Sequence, residues 1–220
     1  MKWIYRFLPV LLLLFFSIPC AAQARGGALD IGVGIGSYHV KALGTGISAL
    51  TFDSCIPNSA DADCLDLPSL GGVFLGFGGD AMVWDRFGIG GEINFKPVKN
   101  DYGPLQFRQM FYDINGIFAP IDQDRFALKL IGGIGGSRTS FSYRQEFCVG
   151  TAICQSQTTA LGTEQHLQLH AGVGLQYLLN DKMFIRPQLD LRYVPKLTNQ
   201  FGSNSVVGGT IWIGFRSSEY

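Results

Sequence analysis

A period of two runs through most of this chain and limits what it can become. Between Glu164 and Leu179, Leu167, Leu169, Ala171, Val173, Leu175, Tyr177 and Leu179 alternate with His166, Gln168, His170, Gly172, Gly174 and Gln176. Successive side chains of a strand point to opposite faces, so this segment reads as a strand with one apolar and one polar side. After Asn180-Asp181-Lys182 the pattern returns, with Met183, Ile185, Leu189, Leu191 and Tyr193 opposed by Arg186, Gln188, Asp190 and Arg192. The same division marks Phe87 to Phe95, and weaker versions mark Leu29 to Ile35, Val73 to Val83, Met110 to Phe118, Phe126 to Ile134 and Val207 to Phe215. The sequence therefore predicts eight strands and an all-β chain, with no segment holding helical spacing for long.

Connection lengths carry the next inference. Tight segments at Asp85-Arg86, Asp122-Gln123-Asp124 and Asn180-Asp181 join strands two and three, four and five, and six and seven. Longer segments, 41–70 and 144–162 above all, join the others, and shorter polar stretches lie near 99–105 and 196–204. Short turns at one end and long loops at the other describe an antiparallel up-and-down meander closed into a barrel. Pro187 interrupts the seventh strand, and a local bulge is the expected accommodation for its missing N–H.

Which face lies outside follows from volume and charge. Only 15% of residues are charged, where soluble domains carry about 25%. Eight strands enclose a lumen just wide enough for side chains to fill it. Gly32, Gly34, Gly36, Gly72, Gly76, Gly78, Gly88, Gly90, Gly133, Gly135, Gly172 and Gly174 share the polar face, as a crowded lumen requires. Turning the Leu, Ile, Val and Phe face inward would overfill it, so the apolar face is expected to meet lipid. Phe87, Phe118, Phe126, Tyr177 and Phe215 then form one aromatic belt beside the short turns, and Phe95, Tyr112 and Tyr193 a second toward the long loops.

At the N-terminus, Lys2 and Arg6 precede an apolar run from Phe7 to Ile18 and the small-residue site Ala22-Gln23-Ala24. This reads as a signal peptide cleaved after Ala24, leaving residues 25–220 as the barrel domain. Lipidation at Cys20 is disfavoured by the preceding Pro19. Cys55, Cys64, Cys148 and Cys154 remain, an even count that favours disulfides in an exported chain. Of three pairings, the short spacings favour Cys55 with Cys64 and Cys148 with Cys154. Zinc is disfavoured, because the spacings are wrong and no His lies near either pair.

The inward face collects Asp30, Asp80, Glu92, Asp113 and Asp190 against Lys96, Lys129, Arg186 and Arg192. Ions in a narrow interior must be compensated, so pairing is expected. Parity places His170 opposite Asp190 or Arg192, and Lys129 opposite Asn115 or Asp113. His166 and His170 stand roughly 13 Å apart on a strand, too far to share one ion, and are read as hydrogen-bonded lumen residues. No metal or cofactor is expected. The Gly-rich Gly132 to Gly136 run and the Gly76-Phe-Gly-Gly-Asp-Ala81 string lack the helix a phosphate loop needs.

The Gly172-Val-Gly-Leu-Gln-Tyr-Leu-Leu-Asn-Asp-Lys-Met-Phe-Ile-Arg-Pro-Gln-Leu-Asp-Leu-Arg-Tyr193 hairpin, the eight strands and the signal together resemble the small outer-membrane β-barrel proteins of the OmpA/OmpX/OmpW type. Phe215 occupies the register of the terminal aromatic common in that family, although five residues, Arg216 to Tyr220, run on beyond it. The resemblance implies a bacterial outer-membrane location with both termini periplasmic. It implies lipid and the barrel assembly machinery as partners, and a ligand met through loops 41–70 and 144–162. A neutral formal charge argues against nucleic acid. A structural or surface-interaction barrel is favoured, with a narrow channel next and a lipid-directed enzyme last. No nucleophile and base motif supports the enzyme.

Overall fold

A computed structural model describes residues 28–40, 46–48, 54–55, 64–66, 70–102, 105–149 and 153–217. The expected signal segment and the side chains of Cys55, Cys64, Cys148 and Cys154 lie outside these described residues. Eight strands form the barrel: β1 (Leu29–His39), β2 (Val73–Met82), β3 (Phe87–Phe95), β4 (Leu105–Gln123), β5 (Phe126–Val149), β6 (Ile153–Leu178), β7 (Met183–Tyr193) and β8 (Ser205–Ser217). Each pairs antiparallel with its sequence neighbours, and β1 also pairs with β8 from Leu29↔Ser217 to His39↔Val207. The sheet therefore closes on itself, as an antiparallel meander with all its ladder groups paired must.

The predicted alternation is the observed one. Ile31, Val33, Ile35, Phe77, Ile89, Ile114, Ile134, Leu167, Leu189, Ile211 and Ile213 are exposed on the outer surface. Their polar neighbours in sequence are buried. Phe87, Tyr112, Tyr177, Tyr193 and Phe215 are exposed, and Phe95, Phe118 and Phe126 half-buried, on that same outer face. Phe87 stacks on Phe118 at 4.9 Å, and Phe77 on Phe95 at 6.1 Å. Trp84 joins the belt beside the short turns.

Several elements depart from the sequence reading, each for a physical reason. Segment 144–162 is largely a ladder, with Cys154 opposite Cys148 and a register shift between Ala160 and Gly162. Among the described residues, no third strand pairs with this hairpin beyond Leu105↔Tyr143. Polar residues occupy both of its faces, so no alternation announced it. Segment 41–70 holds a small separate sheet in which Ser54–Cys55 and Cys64–Asp66 flank Gly46–Ser48. Asn100–Tyr102 pairs with the start of β4, and a single helical turn, Thr198–Phe201, fills the last long connection.

Pro187 produces no bulge. The register with β6 is the same at Gly174↔Gln188 and Tyr177↔Ile185, and the ladder is merely interrupted between them. The shift appears instead in β4 between Phe118 and Ile121, around Ala119-Pro120, where an extra residue absorbs a missing donor. Gly72 is not a lumen position either; it precedes β2 with φ 89°, a left-handed conformation that glycine alone adopts freely.

The other inward glycines answer to bulky neighbours. A Cβ at Gly34, Gly76 or Gly78 would lie 2.9, 2.8 or 3.2 Å from the ring of Trp212. At Gly135 it would come within 1.9 Å of the Tyr112 carbonyl oxygen, whereas at outward Gly132 it would meet nothing within 4 Å. Gly135→Ala should thus cost about 2 kcal/mol as the strands are forced apart, with Gly132→Ala changing stability by under about 0.5. Urea unfolding of the two variants in lipid vesicles checks the contrast.

Candidate functional site

The lumen is the site, and its side chains are delivered by parity from all eight strands. Near the short turns, Lys129 of β5 reaches across to Asp30 of β1 at 2.7 Å and to Asp80 of β2. Arg186 of β7 meets Asp80 at 2.6 Å. Arg216 of β8 forks onto Asp30, its Nε and terminal nitrogen at 2.9 and 3.1 Å from the two carboxylate oxygens. Gln176 donates to Asp30 at 2.9 Å. Fork geometry and burial make these charge-assisted bonds stronger than surface pairs.

A second cluster lies further toward the long loops. Arg192 donates to Asp113 at 2.9 Å and stands 3.7 Å from Glu92. Its guanidinium lies over Tyr38 at 4.8 Å and over Phe111 at 5.3 Å. His170 meets Asp190 through Nε2 at 2.9 Å and Asn115 Oδ1 through Nδ1 at 3.0 Å. Gln188 donates to Glu92 and Asp190, Gln168 to Asp113, and Tyr38 to Asp190. Trp212, fully buried, separates the two clusters in the cradle its glycines leave.

Above the second cluster the inward side chains become mostly aromatic and aliphatic, with Gln109 hydrogen-bonded to Ser137 and Thr139 among them. Tyr38, Val40, Leu70, Phe74, Phe107, Phe111, Val194, Leu197, Phe201 and Val206 form one buried cluster. Tyr38 and Phe74 meet edge to face at 5.0 Å, as do Phe107 and Phe201 at 5.2 Å. The helical turn supplies Leu197 and Phe201, and Gly202 closes it at φ 81° with its N–H on Thr198. Hydrophobic side chains thus stopper the long-loop end.

The residues named from sequence divide accordingly. Asp30, Asp80, Glu92, Asp113, Lys129, His170, Arg186, Asp190 and Arg192 are gathered in the two clusters. His170 is in register with Arg192. Lys129 is not opposite Asn115 or Asp113, which face Gly133 and Gly135; the turn pair Gln123↔Phe126 sets it against the Ala119-Pro120 bulge, and it spans the lumen instead. Lys96 joins neither cluster. It lies one residue beyond β3 at the stopper, donating to the Gly71 carbonyl, 5.8 Å from the Phe74 ring. Among the described residues no carboxylate lies within ion-pair distance of it. His166 sits above the rim, where β7 has already ended opposite Leu169, and is 3.4 Å from Glu164. Exposed His39 meets Ser37 at 3.1 Å.

Arg216, Trp212, Tyr38 and the stopper escaped the sequence reading. Parity was the available signal for the first two, since both share the face of Gly214. For the stopper parity was the sole signal, and its aromatics lie on the face read as polar.

A closed eight-stranded barrel, apolar and belted outside and ion-paired within, is a transmembrane β-barrel. The outer membrane protein beta-barrel domain family matches residues 8–215, and the chain belongs to that family. Its fold is similar to that of Neisserial surface protein A, with a TM-score of 0.50 and 13% identity over 89% of this chain and 98% of that one. Ail, the attachment invasion locus protein of Yersinia pestis, aligns with a TM-score of 0.48 and 15% identity over 87% of this chain and 99% of that one. OprG from Pseudomonas aeruginosa gives 0.49 and 13%, over 88% and 97%. At these identities the likeness is one of fold. No curated protein matches the chain.

Removing the central cation of the lower cluster tests its weight. Lys129→Met should destabilise the barrel by about 3 kcal/mol, because Asp30 and Asp80 each stay buried with one partner fewer. Urea titration in lipid vesicles, read by tryptophan fluorescence, measures this loss.

Proposed function

We propose that this protein is a closed outer-membrane anchor whose long-loop end does the work, as a structural or surface-interaction barrel. One observation carries the reading: the lumen is filled along its length, by two ion clusters, Trp212 between them and an aromatic stopper above. A solute path would require dismantling at least two of those layers. The short turns and both termini face the periplasm, and segments 41–70 and 144–162 face outward to meet an extracellular ligand. The barrel meets lipid on its outer face and depends on the assembly machinery to enter the membrane. No enzymatic role is proposed; among the described residues no nucleophile and base pair points to one.

Cys148 and Cys154 are proposed to form a disulfide that staples the tip of the β5–β6 hairpin. Their direct opposition in the ladder supports it, because cross-strand Cα separations fall within disulfide reach, about 4.4–6.8 Å. Non-reducing digestion should release the two joined peptides, and also reads out whether Cys55 and Cys64 are joined to each other. Two separate alkylated peptides would refute the staple.

Refolded protein in planar bilayers should show no steady conductance; a steady open level in the unmodified chain would reject the closed anchor in favour of a channel. An epitope inserted at Gly150 should be labelled on intact cells, and one inserted between Asn180 and Asp181 only after permeabilisation.

A further inference from the structure

We propose that the lumen binds a divalent first-row transition-metal ion on Glu92, His170 and Asp190. These residues come from β3, β6 and β7, and all three are buried. Their carboxylate oxygens and imidazole nitrogen lie within 4.8 Å of one another. No metal is expected from the sequence, where His166 stands too far along the strand to share an ion with His170; the two carboxylates reach His170 from other strands.

The surroundings are those of a ligand set. His170 Nδ1 is 3.0 Å from Asn115 Oδ1, and a proton donated there leaves the lone pair of Nε2 directed at the cluster. Metal-bound histidines are held in this way, their second nitrogen on a carbonyl or carboxylate. Nε2 then faces Asp190 Oδ1 at 2.9 Å, lone pair to lone pair, an approach relieved by a metal ion bound to both or by a second proton on the imidazole. The other oxygen of Asp190 is held by Tyr38 at 3.2 Å and Thr210 at 3.4 Å, so the carboxylate is oriented from behind.

Gln188 is the independent observation. Its side chain is 3% exposed, and its Oε1 has no hydrogen-bond partner. Its Nε2 stands 2.8 Å from Asp190 Oδ1 and 3.0 and 3.3 Å from the oxygens of Glu92. That nitrogen donates to both carboxylates here, and a half-turn of the amide would bring Oε1 into its place beside a bound ion. Four oxygens, one from Gln188, one from Asp190 and two from Glu92, would then stand around the ion. Separations of about 3 Å are the edges of a coordination shell with metal–ligand distances near 2.1 Å.

Charge agrees. The upper cluster sets Glu92, Asp113 and Asp190 against Arg192, leaving two negative charges when His170 is neutral. A divalent ion cancels that excess. One imidazole with carboxylate and amide oxygens suits Zn²⁺, Mn²⁺ or Fe²⁺ better than Ca²⁺.

The site is enclosed, so the test loads it during folding. Tag-free protein is refolded from urea into micelles with Zn²⁺, desalted, and its metal measured by mass spectrometry, with heat-shifted gel mobility reporting the folded fraction. The wild type should retain about one ion per folded chain, and His170→Asn should reduce retention at least tenfold, as loss of a ligand or its support does. His166→Asn should retain the full ion. Co²⁺ loaded in the same way should show visible absorption bands that disappear in Glu92→Gln. Retention of less than about a tenth of an ion by the folded wild type would overturn the proposal and assign a proton to the place between His170 and Asp190. Full retention by folded His170→Asn would overturn it too. If that variant does not fold, Glu92→Gln takes its place, and the wild-type stoichiometry decides by itself.

Discussion

Everything in this barrel depends on the requirement that backbone N–H and C=O groups be paired where no water can reach them. The pairing of β1 with β8 meets it, converting a meander with two open edges into a ring. Once the ring has eight strands its bore is set, and the pleat decides which half of every strand faces inward. Lipid accepts the apolar half at no cost in packing precision. The inward half must be fitted atom by atom, which is why bulk and charge are so tightly arranged there.

That fitting is visible in how large and small side chains are matched across strands. Trp212 occupies the space above Gly34, Gly76 and Gly78, and Tyr38 that above Gly208. Polar side chains fill the remainder, and the ions among them form closed sets: Asp30 and Asp80 with Lys129, Arg186 and Arg216, then Glu92, Asp113 and Asp190 with Arg192 and His170. Neither set could survive in hydrocarbon alone, and each is desolvated by the strands that deliver it. The apolar stopper completes the filling with the ordinary hydrophobic effect, using water outside the barrel as its reference.

The sequence made most of this legible because lipid outside and polar groups inside write a period of two. All eight strands, the outward aromatics from Phe87 to Phe215, and nine of the lumen residues named from sequence follow from it. What it hid lies where that contrast disappears. The β5–β6 hairpin rises beyond the barrel with polar residues on both faces, so Gln155 to Thr159 read as loop. Phe74, Phe107 and Phe111 face inward but are apolar, and only their parity could have placed them. The tight turn that pairs Gln123 with Phe126 already sets Lys129 against Ala119-Pro120, well short of Asn115 and Asp113, and the bulge there moves the register by only one residue. Pro187 misled in the opposite direction, its missing donor being absorbed without any shift.

The fork of Arg216 on Asp30 joins residues 186 positions apart, near opposite ends of the chain. Asp30 enters with the first strand and Arg216 with the last. Until the final strand is in place, that carboxylate lacks its two-pronged partner, and the first strand lacks a ladder on one side. Electrostatic and backbone satisfaction at the seam are therefore completed by the same event, so that a ring shut on the wrong strand, or one residue out of step, would leave a buried ion to betray it.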